Sequence, residues 1–211
     1  MKEIRHFIWD FDGTLFDTYP VIIRDLRLAL GEFGRDCDPV EAMKLMLDSI
    51  GASLDHYAEE FGIPRDTLND VYMRYHNSSG KSLVSQPIAG VREVLERIRS
   101  TGRHSYIFTH RNGETTARFL EKYGLEGYFR DIIGPDSPHF AVKPAPDAVL
   151  YLMKKYGMSS AETVMVGDRE RDLGSGRNAG IKTAHLICPQ VPETLSCDWR
   201  LESFAHMRAL L

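Results

Sequence analysis

Short apolar runs that end in polar residues alternate with helical patterns over most of this chain, and this alternation constrains the fold more than any other feature. The first run, residues 7–9, is closed by Asp10 and then Gly13. Such a run is typical of a buried strand followed by a loop. Comparable runs lie at residues 105–108, 131–133, 163–166 and 183–187. Apolar residues at helical spacing separate them. We therefore predict an α/β fold, a doubly wound parallel-sheet (Rossmann-like) core with helices on both faces.

Residues 18–85 lack this alternation and carry four successive helical stripes instead. The second stripe begins at Asp38, which is a candidate helix cap. We interpret residues 18–85 as an α-helical cap inserted into a core formed by residues 1–17 and 86–211. The polar run at residues 77–82 is expected to form one of the two connections, where a hinge could lie.

Composition excludes several classes of function. The chain has 211 residues, with 26 Lys and Arg against 30 Asp and Glu, a net charge of −4, and no basic run. We therefore expect no nucleic-acid partner. A charged N-terminus and the lack of a long apolar run predict neither a signal peptide nor a membrane partner. The three cysteines are odd in number and far apart, which favours reduced thiols in a cytoplasmic protein. The sequence does not indicate an oligomeric state.

Polar clusters follow three of the predicted strands. They contain Asp10 and Asp12, then Thr109, then Asp168 and Asp172. Because the carboxyl ends of parallel strands form the binding crevice of such a sheet, these clusters are expected to meet. Carboxylates gathered in one crevice repel each other unless a cation lies among them. Oxygen-only ligands favour Mg²⁺ over zinc.

Three further features suit a phosphate group. Lys143 adds a positive charge beside a predicted helix start, and Thr109 offers a hydroxyl. The loop around Gly13 can turn backbone N–H groups inward, as phosphate sites require.

The three polar clusters, together with Lys143-Pro144, resemble the four motifs of the haloacid dehalogenase-like hydrolase superfamily, in the family's order. The first is Asp10-Phe11-Asp12-Gly13-Thr14-Leu15-Phe16-Asp17, the second Phe108-Thr109-His110-Arg111-Asn112, the third Lys143-Pro144, and the fourth Val166-Gly167-Asp168-Arg169-Glu170-Arg171-Asp172. The ordered set is specific, and it extends with its strands from about residue 4 to residue 201. The helical insertion resembles the small cap of phosphoglycolate-phosphatase-like members.

The resemblance implies a role for each matching residue. Asp10 would be the nucleophile that becomes an aspartyl phosphate, and Asp12 the general acid and then the general base. Mg²⁺ would be held by Asp10, the backbone carbonyl of Asp12, Asp168 and Asp172, the last as a ligand or as support for the others. The phosphoryl group would be bound by Phe11, Asp12 and His110 through backbone N–H groups, by the Gly13 loop, and by the side chains of Thr109 and Lys143.

These details favour a Mg²⁺-dependent phosphatase of small phosphorylated metabolites. Family dehalogenases and phosphonate-cleaving members replace the second Asp, which is Asp12 here. Sugar phosphomutases keep it, but they usually carry a histidine in the first cap helix, and residues 18–30 contain none. A phosphomutase remains the alternative enzyme, and a non-catalytic member that binds a phosphorylated ligand is the alternative from another class.

Two features are left open. The family usually has Asn where this chain has His110, so His110 either contributes only its backbone N–H or contacts the substrate and titrates near neutral pH. The segment at residues 49–54 is either a cap loop that faces the active site or a connection in which Gly51 ends one helix and Ser53 caps the next.

Overall fold

Eight strands and eight α-helices make up the structure, a computed structural model that describes residues 3–137, 140–188 and 195–211. The strands are β1 (His6–Trp9), β2 (Phe16–Asp17), β3 (Gln86–Pro87), β4 (His104–Phe108), β5 (Phe129–Ile133), β6 (Thr163–Gly167), β7 (Lys182–Leu186) and β8 (Trp199–Leu201). The helices are α1 (Tyr19–Gly31), α2 (Pro39–Asp48), α3 (Ile50–Phe61), α4 (Arg65–Ser82), α5 (Val91–Ser100), α6 (Gly113–Lys122), α7 (Asp147–Tyr156) and α8 (Glu170–Asn178). Short 3₁₀ helices lie at Glu126–Tyr128, Ser160–Glu162 and Phe204–Ala209.

The central sheet has six strands in the order β5-β4-β1-β6-β7-β8. Neighbouring strands pair in parallel throughout this order. This confirms the predicted doubly wound parallel sheet. β1 lies in the middle, between β4 and β6. The chain adds β4 and β5 on one side of β1 and β6 to β8 on the other, so the strand order reverses at β1. That point is where α/β sheets bind ligands. The three-residue edge strand β8 was not predicted.

Both faces of the sheet are buried at its central strand, β1. Ile8 and Met165 belong to a core cluster that includes Val149 and Leu152 of α7. The neighbours of Ile8 along β1, Phe7 and Trp9, stack with ring centroids 5.9 Å apart, and Trp9 stacks on Phe204 in the last 3₁₀ helix at the same distance. Alternate residues of a strand point to opposite faces, so β1 is buried by helices on each side.

The chain divides into two compact units, Met1–Asp17 with Pro87–Leu211, and Thr18–Gln86. The first contains the sheet. The second contains α1 to α4, in which α1 packs along α4 and α2 along α3. Asp38 caps α2, since its carboxylate accepts the N–H groups of Val40 and Glu41 at 2.9 Å. No helix in the described part of the chain is both long enough and apolar enough to cross a membrane.

One local prediction in this second unit was wrong, and one alternative left open for residues 49–54 does not hold. The polar run at residues 77–82 is not a connection, because α4 continues to Ser82. A helical turn needs no apolar residues once the helix has been nucleated. Residues 50–54 are likewise helical, so Gly51 does not end a helix and Ser53 does not cap one. Ser49 is the cap, and its hydroxyl accepts the N–H of Ala52 at 3.0 Å.

Candidate active site

Three of the sheet's central strands end in polar residues that come together. Asp10 follows β1, Thr109 follows β4, and Asp168 follows β6. All three are buried. In the register of the sheet, Trp9 lies opposite Ile107 on one side and Val166 on the other, so the next residues of each strand reach the same edge. The geometry thus brings together the three sequence clusters that were predicted to meet.

Asp10, Asp168 and Asp172 form a buried carboxylate cluster. One oxygen from each lies within 4.8 Å of the others. Asp172 belongs to the first turn of α8, and its Oδ2 accepts the backbone N–H of Arg169 at 3.0 Å. This contact caps the helix at its positive end. Gly167 permits the approach, because a Cβ at that position would lie 2.2 Å from the Cβ of Asp172.

Lys143 lies inside this cluster. Its side chain is fully buried, and Nζ donates to Asp10 Oδ1 and, at 2.7 Å, to Asp172 Oδ1. A buried lysine is stable as an ammonium only with such partners. Burial alone would lower the pKa of Lys143, but the charges of Asp10 and Asp172 outweigh it and raise the pKa.

The two carboxyl groups that share Lys143 have different proton affinities. Burial and the charge of Asp172 raise the pKa of Asp10 to about 6. Burial also opposes ionisation of Asp172, but Lys143 and Arg169 lower its pKa to about 2. The Arg169 guanidinium lies 3.8 Å from Asp10 Oδ2. The charges of Lys143 and Arg169 therefore do not fully offset the effects of burial and of Asp172 on the pKa of Asp10.

The cluster fits a hard divalent cation. Among the described residues, Asp10 Oδ2 is buried without a hydrogen-bond partner. Asp168 presents its carboxylate beside it and accepts the Thr14 hydroxyl at 3.0 Å. Both oxygens of Asp172 already accept hydrogen bonds, which suits support of the site better than direct ligation. An all-oxygen donor set of this kind suits Mg²⁺.

The residues that follow β4, Thr109 and His110, form another part of the site. Thr109 is buried and its Oγ1 accepts the backbone N–H of Arg111 at 3.0 Å. His110 Nε2 accepts the backbone N–H of Lys143 at 3.0 Å. Burial and the charges of Lys143 and Arg169 lower the pKa of His110 to about 4. His110 is therefore neutral at physiological pH. Its side chain has a contact of its own, with the backbone of Lys143, in addition to any role of its backbone N–H.

The loop after β1 places the remaining predicted residues. Phe11 is buried and stacks on Phe16 with ring centroids 4.5 Å apart. Its carbonyl accepts the N–H of Leu15 at 3.0 Å. Gly13 has a φ of +77°, which favours glycine, and its own N–H donates to Phe16. Gly13 thus shapes the turn, while its N–H is used within the loop.

Asp12 is positioned by a residue that the sequence reasoning did not assign. Arg111 Nη2 lies 2.6 Å from Asp12 Oδ1, and Arg111 Nε lies 3.0 Å from the same oxygen. Two further contacts were missed: Arg169 beside Asp10, and Thr14 on Asp168. Arg111, Arg169 and Thr14 all lie within the motifs found in the sequence. The motifs indicated that these residues are near the site, but they did not indicate which residues they contact.

Comparison with known proteins agrees with this arrangement. Residues 7–186 match the model of a haloacid dehalogenase-like hydrolase family. The chain is 30% identical to pyrophosphatase PpaX of Halalkalibacterium halodurans, over 86% of this chain and 83% of that protein. It is 28% identical to a phosphoglycolate phosphatase of Pseudomonas syringae, over 88% of this chain and 70% of that protein. In fold it is similar to a crystal structure described as a predicted phosphoglycolate phosphatase from Haemophilus somnus, with a TM-score of 0.86, 21% identity and coverage of 100% and 99%. The chain therefore belongs to the haloacid dehalogenase-like hydrolase family, and its class of activity is that of a phosphatase.

Proposed function

We propose that this protein is a Mg²⁺-dependent phosphatase of small phosphorylated metabolites that works through an aspartyl phosphate on Asp10. The observation that carries the proposal is the buried contact of Lys143 with both Asp10 and Asp172, in a cluster that a divalent cation fits. A buried nucleophile, a fixed ammonium and a cation site together meet the needs of phosphoryl transfer, which is catalysed mainly by positioning and charge stabilisation.

In the first step, a carboxylate oxygen of Asp10 forms a bond to phosphorus as the bond from phosphorus to the leaving oxygen breaks. Asp12 gives its proton to that leaving oxygen. The Lys143 ammonium and the Thr109 hydroxyl stabilise the charge on the transferring phosphoryl group. A bound Mg²⁺ would supply positive charge at the phosphoryl oxygens and would offset the raised pKa of Asp10; Asp10 and Asp168 would hold it, with Asp172 supporting them.

In the second step, water attacks the phosphorus of the aspartyl phosphate and Asp12 accepts its proton. The bond between phosphorus and Asp10 breaks, and inorganic phosphate leaves. Arg111 contacts the Asp12 carboxylate at two points, which supports Asp12 as the proton acceptor of this second step. Splitting the displacement into two steps lowers each barrier.

Release of phosphate from an aryl phosphate, with and without Mg²⁺, tests the proposal. We expect wild-type activity that a chelator removes and Mg²⁺ restores, and that is lost in Asp10→Asn and Asp12→Asn. Asp147→Asn is the matched control, since Asp147 is exposed at the start of α7. Activity without a divalent cation, or unchanged activity in Asp10→Asn, would contradict the mechanism.

A metabolite panel then addresses the substrate. It would contain 2-phosphoglycolate, pyrophosphate, sugar phosphates and nucleoside monophosphates, because related proteins are named as phosphoglycolate phosphatases and a pyrophosphatase. Product analysis separates the alternatives. A phosphatase releases inorganic phosphate, whereas a phosphomutase returns the phosphoryl group to the sugar. Binding of a phosphorylated ligand with neither product would indicate a non-catalytic member.

A further inference from the structure

The imidazole of His110 contacts the chain segment that carries Lys143. His110 follows Thr109 at the end of β4, and Lys143 lies 33 residues later. Residues 140–146, around Lys143, form neither a strand nor a helix. The hydrogen bond from the Lys143 N–H to His110 Nε2, at 3.0 Å, therefore ties an irregular segment to the end of a central strand.

The hydrogen bond to His110 holds the backbone of Lys143, while ion pairs hold the ammonium at the other end of the same side chain. Nζ of Lys143 contacts Asp10 and Asp172, and its backbone N–H contacts His110. The next residue is held as well, because Asn178 Nδ2 donates to the Pro144 carbonyl at 2.9 Å. A lysine stem has several rotatable bonds, so the position of its ammonium depends on where its backbone is held.

We propose that His110 is a positioning residue for Lys143, holding its backbone so that the ammonium stays beside Asp10. An imidazole nitrogen accepts a hydrogen bond only when it carries no proton. His110 must therefore be neutral, with its proton on Nδ1. The neighbouring cations Lys143 and Arg169 favour this neutral ring. The kinetic test of this role rests on the proposed phosphatase function, whereas the hydrogen bond itself does not.

Three substitutions separate the acceptor from the bulk of the side chain. In His110→Gln, the amide oxygen reaches about as far as Nε2. In His110→Asn, it reaches only as far as Nδ1, one bond closer to the backbone. His110→Leu keeps much of the volume and has no acceptor. The family usually has Asn at the position of His110. The comparison of the Gln and Asn variants therefore tests whether this protein needs an acceptor as far from the backbone as Nε2.

Steady-state kinetics with Mg²⁺ and the best substrate form the first arm. Because a displacement near 1 Å can cost about a hundredfold in rate, we expect His110→Leu and His110→Asn to lower kcat about tenfold or more, with a smaller change in KM. His110→Gln should stay within about threefold of wild type. His206→Leu, an exposed site, is the matched control. Wild-type kcat in His110→Leu, or equal kcat in the Asn and Gln variants, would overturn the proposal.

Nitrogen NMR of ¹⁵N-histidine-labelled protein forms the second arm and needs no activity. With the His110→Gln spectrum used for assignment, His110 should show a protonated Nδ1 and a bare Nε2 at pH 7, with and without Mg²⁺. A proton on Nε2 at pH 7 would overturn the proposal. If the wild type hydrolyses no phosphate ester, the proposed function fails, and this spectrum still decides whether His110 accepts the Lys143 N–H.

Discussion

Arg111 forms a two-point ion pair with Asp12 at the carboxyl end of the sheet. Nη2 and Nε of Arg111 lie 2.6 and 3.0 Å from Asp12 Oδ1, and Nε lies 3.3 Å from Oδ2. The guanidinium also lies over the rings of Phe11 and Phe119, at 5.7 and 5.4 Å from their centroids. Only 9% of the Arg111 side chain and 17% of the Asp12 side chain are exposed. This is a largely desolvated pair, in which each residue depends on the other.

Removal of Arg111 is therefore expected to destabilise the fold. Arg111→Met keeps an apolar stem against Phe11 and Phe119 but leaves Asp12 without its two-point partner, at a cost of about 1–3 kcal/mol. Urea unfolding followed by tryptophan fluorescence measures this loss. The double variant Arg111→Met/Asp12→Asn should lose less unfolding free energy than the sum of the two single losses, by about 1 kcal/mol or more. Strictly additive losses would contradict the coupling.

Gly167 is expected to accept no other residue, for a steric reason. A Cβ there would meet Cβ of Asp172 at 2.2 Å, a distance that neither β6 nor α8 can relieve without moving. We expect Gly167→Ala to lose about 3 kcal/mol or more of unfolding free energy, above the usual range for overpacking. Gly127→Ala is the control, since its Cβ would meet nothing within 4 Å. Equal stability of the two variants would argue against the close approach.

The sheet and the carboxylate cluster were predictable from the sequence because each depends on local patterns. A buried strand needs a short apolar run, and parallel strands place their ends together. Asp10, Thr109 and Asp168 each follow such a run, so their meeting required no knowledge of side-chain contacts. Lys143 has no strand to mark it, and its place was indicated by its charge beside a predicted helix start and by the resemblance to a family motif.

The missed features depend on long-range geometry. Arg111 and Asp12 are 99 positions apart, and nothing in the pattern of either segment selects the partner. The same holds for His110 and Lys143, whose contact depends on an irregular segment. Gly167 ends β6, and its sequence context does not reveal that its small size is needed for the close approach of Asp172. β8 is three residues long, which is too short for a periodic pattern to reveal.

Acidification is expected to destabilise the metal-free protein through His110. Its pKa falls from about 6.5 to about 4 in the folded state, so between these values the unfolded chain binds more protons. Stability is then fully present above pH 6.5 and declines as the pH falls toward 4. Comparison of urea midpoints at pH 7 and pH 5 should show a smaller loss in His110→Gln than in wild type. The difference corresponds to about a tenfold change in the folding constant, discounted for partial exposure. Equal losses would contradict the lowered pKa.

Replacement of Lys143 is expected to reverse the sign of the pH dependence. Lys143→Met leaves two buried carboxyl groups, Asp10 and Asp172, without the ammonium between them, which costs on the order of 3–5 kcal/mol at pH 7. The pKa of Asp10 is already raised to about 6 with Lys143 present, and loss of the cation raises it further. A folded pKa above the unfolded value means that stability is greatest at low pH and declines as the pH rises through it. The metal-free variant should therefore gain stability from pH 7 to pH 5, while Lys154→Met, an exposed control in α7, follows the wild type. A variant that is less stable at pH 5 than at pH 7 would show that Lys143 does not neutralise this pair.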